Sequence, residues 1–117
     1  IKISSILEKD LSNSCVRLEV IGDKEGFWLK PHKDISEKLM TMMIWANPYN
    51  ESENLGTDLY DNNFEIVKTV KYRHNSGYFF SSGNDTWHGL EKKEIKKERR
   101  CIQINYVSFK TDWPVIN

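Results

Sequence analysis

The feature that most constrains the fold is a succession of short strand-like segments, separated by turn signals at a spacing of roughly ten residues. Two of these turn signals are Gly22-Asp23-Lys24-Glu25-Gly26 and Asn75-Ser76-Gly77. A capping box formed by Ser5 and Glu8 predicts a short helix over Ser5 to Leu11. The predicted strands cover residues 15–21, 27–34, 39–46, 55–60, 64–72, 78–81, 86–90 and 99–109. Eight short strands with one helix indicate a mainly all-β sandwich or barrel that forms a single domain over residues 1–117.

Side-chain alternation predicts the faces of the first and last strands. In the first strand every second residue is apolar, which is typical of a half-buried strand whose apolar residues are Val16, Leu18 and Val20. The last strand has one apolar face and an opposite polar face that consists of Arg99, Cys101, Gln103 and Asn105. A polar face directed into the domain makes sense if it lines a pocket for a small polar acid, because a guanidinium binds a carboxylate bidentately.

Two separated segments carry the residues that could bind a metal. His32 and Asp34 are two residues apart in Lys30-Pro31-His32-Lys33-Asp34, so on an extended strand their side chains share one face. His88 lies on a later strand and can approach from the opposite wall of a barrel. Two imidazoles and one carboxylate are the ligand set of a 2-His-1-carboxylate iron site.

Each of these residues also has an interpretation that involves no metal. His32 could be a surface histidine that follows Pro31, and Asp34 could cap the turn at Ser36. His88 could be a partly buried core histidine. The combination favours a metal site, because the pair at the end of one strand and the distant histidine occur together with a polar face on the last strand.

Composition argues against several classes of partner. Seventeen basic and seventeen acidic residues cancel, so no global positive field draws the chain to nucleic acid or to an anionic membrane. No apolar run approaches the roughly 20 residues of a membrane span, and no leader segment is recognisable, which favours a cytoplasmic protein. Cys15 and Cys101 sit in strand-like apolar runs and are interpreted as reduced core thiols, with a disulfide as the alternative.

Several motifs follow one another in a fixed order along most of the chain, from about Phe27 to Phe109. They are Pro31-His32-x-Asp34, then Lys38, Leu39 and Thr41, then Leu55-Gly56-Thr57-x-Leu59-Tyr60, then Trp87-His88-Gly89, and finally Arg99-Arg100-x-Ile102-x-Ile104-Asn105-Tyr106. Their order and spacing resemble the 2-oxoglutarate- and Fe(II)-dependent oxygenase superfamily, and its prolyl-hydroxylase-like branch in particular.

The resemblance implies a fold, a set of cofactors and roles for individual residues. The fold would be a double-stranded β-helix, or jelly roll, in which His32, Asp34 and His88 are the catalytic ligands that hold Fe(II). 2-Oxoglutarate and O2 would be the co-substrates, and ascorbate is a candidate reductant. Arg99 would pair with the distal carboxylate of 2-oxoglutarate, with Arg100 as the competing candidate. The reaction would decarboxylate 2-oxoglutarate to succinate and hydroxylate an unactivated C–H bond of a small-molecule or peptide substrate.

Four further residues are secondary candidates for contact with the co-substrate: Trp45, Asn47, Tyr60 and Gln103. Trp45 and Tyr60 can equally be packing residues, and Asn47 can equally be a turn residue. The third histidine, His74, lies in a polar turn and is interpreted as a surface residue.

Two alternatives remain open at the level of the sequence. Members of the family usually cover the larger sheet with long helices, whereas only one short helix is evident here. Either an N-terminal segment is therefore absent, or another subunit, as in a homodimer, covers the sheet. The alternative function is a non-catalytic jelly-roll module that binds a sugar or a peptide.

Overall fold

Eight strands form two antiparallel four-stranded sheets in the computed structural model of the chain, which describes residues 2–108. The strands are β1 (Cys15–Asp23), β2 (Leu29–His32), β3 (Lys38–Ala46), β4 (Thr57–Tyr60), β5 (Ile66–Val70), β6 (Ser76–Ser81), β7 (His88–Leu90) and β8 (Arg99–Val107). One α-helix, α1 (Lys2–Leu7), precedes them, and a 3₁₀ turn over Glu53–Leu55 leads into β4. Strand accounts for 46% and helix for 8% of the structure, which confirms the predicted mainly-β class.

The sheets are built almost entirely from contacts between strands that are distant in the sequence. One sheet has the order β1-β8-β3-β6 and the other has the order β2-β7-β4-β5. The first and last strands pair in the first sheet, where Cys15 lies opposite Val107 and Asp23 lies opposite Arg99. This pairing places the start of β8 beside the end of β1, at one end of the space between the sheets.

The predicted bounds of several elements differ from those in the structure. The helix spans Lys2–Leu7 rather than Ser5 to Leu11, so Ser5 lies inside it and the predicted capping box is wrong. Glu8 ends the helix with a positive φ of 53°. β2 ends at His32, two residues before Asp34, and the predicted end of β8 at Phe109 lies outside the described residues.

The buried core lies between the sheets at the end marked by the start of β8. Its central members are Met43, Trp45, Leu55, Tyr72, Ile95 and Cys101. Trp45 packs edge-on against Tyr72, with ring centroids 6.0 Å apart. Ile95 comes from the charged segment 91–98, which the sequence predicts to be a solvated loop. The segment is a loop, but it contributes this one apolar side chain to the core, since Ile95 is 1% exposed.

The two faces of the first sheet confirm one prediction and reverse another. The polar face of β8 points inward, because Arg99, Cys101 and Asn105 are buried whereas Ile102 is exposed. In β1 the expected face is wrong, since its apolar residues point outward and Val20 is 80% exposed. The reason is that β1 pairs with β8, so the residues of β1 that face inward are those opposite the polar row: Arg17, Glu19, Ile21 and Asp23.

The outer face of the same sheet is apolar and exposed in the part of the chain that the structure describes. Its exposed apolar side chains are Val16, Leu18, Val20, Ile44, Phe79 and Ile102. Whether another segment or subunit covers this face stays a prediction. Cys15 and Cys101 are free thiols, as expected, although only Cys101 is fully buried. Within residues 2–108, no helix combines the length and apolar character that a bilayer crossing requires.

Candidate metal centre and adjoining cavity

The pairing of β2 with β7 brings the two candidate histidines together. His32 lies directly opposite His88 in this antiparallel pair, and the centroids of the two rings are 4.4 Å apart. The strands approach closely because residue 89 is glycine. A Cβ atom at Gly89 would lie 2.5 Å from the carbonyl oxygen of Leu29, closer than a real Cβ comes to another atom. The sequence Trp87-His88-Gly89 therefore permits the contact on which the histidine pair depends.

Asp34 completes a compact cluster with the two histidines. One ligand atom from each of His32, Asp34 and His88 lies within 4.8 Å of the other two. The His88 Nε2 to Asp34 Oδ1 distance is 3.6 Å, and the Asp34 side chain is only 6% exposed. Ligands at adjacent positions around a first-row metal lie about 3 Å apart, given metal–ligand bonds of about 2.1 Å. Small side-chain rotations would therefore bring all three atoms onto one ion.

A backbone carbonyl engages the same nitrogen, Nδ1, of both imidazoles. His32 Nδ1 lies 3.0 Å from the carbonyl oxygen of Lys30, and His88 Nδ1 lies 2.8 Å from that of Thr86. A carbonyl oxygen only accepts hydrogen bonds, so Nδ1 carries the proton in both rings. With Nδ1 as the donor, Nε2 is the atom that each ring can offer to a metal ion.

The carboxylate is oriented by a hydrogen-bond chain that starts in the polar row of β8. Thr41 Oγ1 lies 2.9 Å from Asp34 Oδ2 and also 2.9 Å from the side-chain amide of Asn105. The single hydroxyl hydrogen of Thr41 can serve only one acceptor. The buried Nδ2 of Asn105 has no partner among the described residues. Turning the Asn105 amide over would let Nδ2 donate to Thr41 Oγ1 and free the Thr41 hydrogen for Asp34, in exchange for the 3.5 Å contact that Gln103 Nε2 makes with Asn105 Oδ1.

Thr41→Val tests whether this chain positions the carboxylate. The substitution keeps the shape but removes the hydroxyl, so Asp34 loses its oriented hydrogen bond, and we expect Mn(II) affinity to fall about 10- to 100-fold. Calorimetric titration with Mn(II) measures the change. Thr41→Ser, which keeps the hydroxyl, should stay close to the parent, and equal affinities for the valine and serine variants would contradict the assignment.

The electrostatics of the cluster favour a cation between its members. Burial lowers the pKa of His88, although the Thr86 carbonyl and Asp34 oppose this, so the imidazole is neutral near neutral pH. Nε2 of His88 and Oδ1 of Asp34 are then two acceptors that face each other. Lys38 Nζ lies 3.7 Å from the same carboxylate oxygen and supplies positive charge. A divalent ion bound there would compete with this ammonium for Asp34.

A cavity of about 290 Å³ adjoins the cluster between the two sheets. His32, Asp34 and His88 line one end, and Arg99 lines the other. Residues between these ends are mixed in character: Ile21, Phe27, Leu29, Lys38, Thr41, Met43, Thr57, Tyr78, Gly89, Leu90, Cys101 and Gln103. The volume is near the lower end of the range for small-molecule sites. Burial raises the pKa of Tyr78 to about 12 and that of Cys101 to about 11, so both are uncharged near neutral pH.

Arg99 lies within the cavity wall but already has partners. Its Nη1 donates to Asp23 Oδ2 at 2.7 Å, and its Nη2 donates to the carbonyl oxygen of Gly56 at 2.8 Å. Its Nε donates to the carbonyl oxygen of Leu55. Arg100 points outward instead, where it pairs with the carboxylate of Glu98. Of the two arginines, only Arg99 is therefore placed to meet a ligand in the cavity.

The secondary candidates separate into two groups. Gln103 lines the cavity, but Trp45, Asn47 and Tyr60 do not. Trp45 is buried in the core cluster, and Tyr60 is likewise buried. Asn47 braces a turn by exchanging two hydrogen bonds with the backbone of Glu51. These three residues thus take the packing and turn positions that the sequence left open as alternatives, and none of them lines the cavity. Contact with the co-substrate stays a prediction for them. His74 is exposed, as predicted.

Comparison with protein-family models and with curated proteins finds no match for this chain. Two imidazoles and one carboxylate, on one side of a cavity with an arginine at its far end, fit a non-haem Fe(II) centre better than a structural zinc site, which usually has four protein ligands.

Sequence reasoning missed several residues that support the site, and Glu51 is the clearest example. Its carboxylate accepts hydrogen bonds from the backbone N–H groups of Lys96, Lys97 and Glu98, at 2.9, 2.8 and 2.9 Å. Burial by itself raises the pKa of Glu51, but these three donors outweigh it and the net pKa is lowered. Glu51 thus anchors the segment that leads directly into Arg99. No local motif marks this role, since the partners lie more than 40 residues away.

Glu51→Gln is expected to destabilise the fold by about 1 to 3 kcal/mol. The glutamine side chain has one acceptor oxygen instead of two, and its NH₂ group would face a backbone N–H that now donates to the Glu51 carboxylate. Denaturant unfolding measures the loss. The lowered folded pKa means that the contribution of Glu51 is present above the ordinary pKa of a glutamate and is lost as pH falls through the folded value, so the difference should shrink in acid. Glu53→Gln, at an exposed neighbour that only forms surface ion pairs, is the control and should unfold like the parent.

Proposed function

We propose that this chain is a 2-oxoglutarate- and Fe(II)-dependent oxygenase domain of the prolyl-hydroxylase-like branch, with a jelly-roll fold. His32, Asp34 and His88 would hold the iron, and Arg99 would anchor the distal carboxylate of 2-oxoglutarate. The substrate would be a small molecule or a peptide whose unactivated C–H bond is hydroxylated.

The strand pairing supports the jelly-roll part of the proposal. β1 pairs with β8, β2 with β7, β3 with β6, and β4 with β5. These are the pairs of one long antiparallel ribbon that is folded at its middle, between β4 and β5. Winding such a ribbon into two facing sheets gives the arrangement of a jelly roll.

The single observation that carries the proposal is the orientation of the donors. Nδ1 of each histidine faces a backbone carbonyl, so Nε2 of both rings and an oriented carboxylate are the atoms that converge on one point, where a divalent cation would attract all three. Such a three-ligand set leaves coordination positions open, which is the arrangement that non-haem Fe(II) oxygenases use. When bound, the iron would supply activation of O2 and oxidation of the keto acid.

The surroundings offer room for two organic partners. The interior cavity runs from the cluster to Arg99, which suits a short diacid that reaches both the metal and the guanidinium. A polar cleft of about 320 Å³ lies on the outer side of Asp34 and is lined by Lys33, Asp34, Ser36, Ser82, Gly83 and Asn84. This cleft is the approach for the substrate that is hydroxylated. The protein's own contribution is to orient the ligand atoms, pair with the diacid and limit water in the cavity.

The test is succinate formation from 2-oxoglutarate by the purified chain, with and without Fe(II). We expect slow succinate release even without substrate, which requires Fe(II) and O2 and stops when a chelator removes the metal. Readdition of Fe(II) should restore the rate. A rate that is the same after chelation, or no succinate in the presence of Fe(II), O2 and a peptide and metabolite panel, would overturn the proposal.

One observation favours the alternative, a non-catalytic jelly-roll module that binds a sugar or peptide. The charge of Arg99 is already neutralised by Asp23, so the far end of the cavity has no net positive charge to attract an anionic ligand. Binding of a neutral sugar that is unaffected by chelation, combined with no affinity for Mn(II), would favour that module.

A further inference from the structure

The far end of the cavity contains a buried ion pair that the sequence motifs did not mark. Arg99 is 5% exposed and Asp23 is 7% exposed, and Nη1 of Arg99 donates to Oδ2 of Asp23 at 2.7 Å. The partners are 76 residues apart in the chain, and both side chains line the cavity. A ligand that reaches Arg99 therefore also meets Asp23.

Arg99 retains limited capacity for a new partner. A guanidinium has five N–H groups. Three of them donate to Asp23, Gly56 and Leu55, which leaves one on each Nη atom. The guanidinium also lies within hydrogen-bond reach of the Cys101 side chain, a weak acceptor that a ligand carboxylate could displace. A carboxylate can accept two N–H bonds in parallel. The geometry thus allows a ligand carboxylate to bind without displacing Asp23, but only by placing two carboxylates on one guanidinium.

The charges around the pair do not accommodate two anions. Among the described residues, Arg99 supplies the positive charge that attracts Asp23, and Glu98 adds a negative charge nearby. The cavity residues Cys101 and Tyr78 are uncharged near neutral pH and offer no compensation. Lys38 lines the cavity but pairs with Asp34, at the metal end. Burial already raises the pKa of Asp23 despite the attraction of Arg99, and a second carboxylate beside it would raise that pKa further.

We propose that Asp23 is a specificity-determining residue of the co-substrate pocket, which takes up one proton when a dicarboxylate keto acid binds to Arg99. The proton comes from solvent and resides on the Asp23 carboxyl, whose O–H then donates to the incoming carboxylate. Two carboxyl groups that share one proton are a stable arrangement where two carboxylates are not. This inference rests on the proposed function, since it concerns the same cavity and the same diacid.

The proposal predicts a definite pH dependence. Binding that consumes one proton weakens as pH rises, by up to about tenfold in Kd per pH unit. The window lies between the pKa of Asp23 in the free protein and its higher pKa in the complex. A keto acid without the distal carboxylate, such as 2-oxobutyrate, places no anion beside Asp23 and should show no such dependence.

The experiment is calorimetric titration of the Mn(II)-loaded protein with 2-oxoglutarate, in buffers of different ionisation enthalpy and over a range of pH. We expect uptake of close to one proton per ligand and a Kd that rises with pH. Asp23→Asn removes the competing charge but keeps the shape, so its Kd should be nearly independent of pH and about tenfold tighter than that of the parent at mildly alkaline pH. Glu19→Gln, which removes another inward-facing carboxylate of β1, should retain the proton uptake of the parent.

The outcomes separate this inference from the proposed function. Binding of 2-oxoglutarate with no proton uptake, or uptake that persists in Asp23→Asn, would overturn the role of Asp23 while the oxygenase assignment stands. No binding of 2-oxoglutarate to the Mn(II)-loaded parent or to Asp23→Asn would overturn both. Ligand-induced thermal stabilisation of each variant provides a readout that does not require turnover.

Discussion

Replacement of His88 by alanine is expected to lower Fe(II)-dependent succinate formation more than about a hundredfold. Loss of an outer residue that only orients a ligand usually lowers metal affinity or activity 10- to 100-fold, so loss of a direct ligand should exceed that range. His88 is 8% exposed, and its ring packs against His32 and Phe80. A water molecule in the space left by alanine would therefore be a poor substitute for Nε2 as a metal ligand. Succinate released per chain at saturating Fe(II) is the measurement.

His74→Ala is the matched control for this prediction. His74 is exposed, and its Nδ1 accepts a hydrogen bond from the backbone N–H of Asn47, so its removal should leave succinate formation near the parent rate. Circular dichroism and thermal unfolding establish whether each variant keeps its fold. Succinate formation that survives in a folded His88→Ala protein would rule out His88 as an iron ligand.

Arg99→Met is expected to destabilise the fold by about 3 to 5 kcal/mol, because it removes one partner of a buried ion pair. The substitution leaves the Asp23 charge uncompensated and deprives the Leu55 and Gly56 carbonyls of their donors. Arg99 lowers the pKa of Asp23 against the larger effect of burial, so its removal raises that pKa further. The variant therefore takes up the Asp23 proton at a higher pH than the parent does, and the destabilisation should shrink as pH falls through the Asp23 pKa of the variant. Urea unfolding at two pH values measures both effects.

The neighbouring arginine offers a stringent control. Arg100 carries the same charge but lies on the outer face, paired with Glu98 at the surface, so Arg100→Met should change stability little. Adding Asp23→Asn to Arg99→Met should recover part of the lost stability, because it removes the unpaired charge. Equal destabilisation by the two arginine substitutions would show that burial of the Arg99 pair is not what stabilises this end of the fold.

Much of the fold follows from local signals in the sequence. Short apolar runs and turn residues predict the strands, and period-two alternation predicts the two faces of β8. Alternation alone does not tell which face points inward, because either face can be buried according to the partner strand. In β8 the polar face points inward, as a pocket for a polar ligand requires, whereas in β1 the apolar face points outward and leaves Val20 exposed.

The candidate site likewise contains residues that the sequence predicts and a residue that it does not. His32, Asp34 and His88 could be predicted because their spacing and residue types suit one ion, and the structure brings them within 4.8 Å. Asp23 could not be predicted as a site residue, because it lies in the segment Gly22-Asp23-Lys24-Glu25-Gly26, which the sequence predicts to be a turn. Its role depends on the register that sets it opposite Arg99, which only the paired strands reveal. Contacts of such sequence separation depend on tertiary packing rather than on local propensity.

One divalent ion is expected to bind between two histidines and one aspartate at the end of this cavity. A crystal structure of the chain soaked with Mn(II), with anomalous data collected to locate the ion, tests this binding directly. We expect a single anomalous peak about 2.1 to 2.3 Å from Nε2 of His32, Nε2 of His88 and a carboxylate oxygen of Asp34. No peak at this position, or a peak bound by other residues while these three side chains remain as they are, would contradict it.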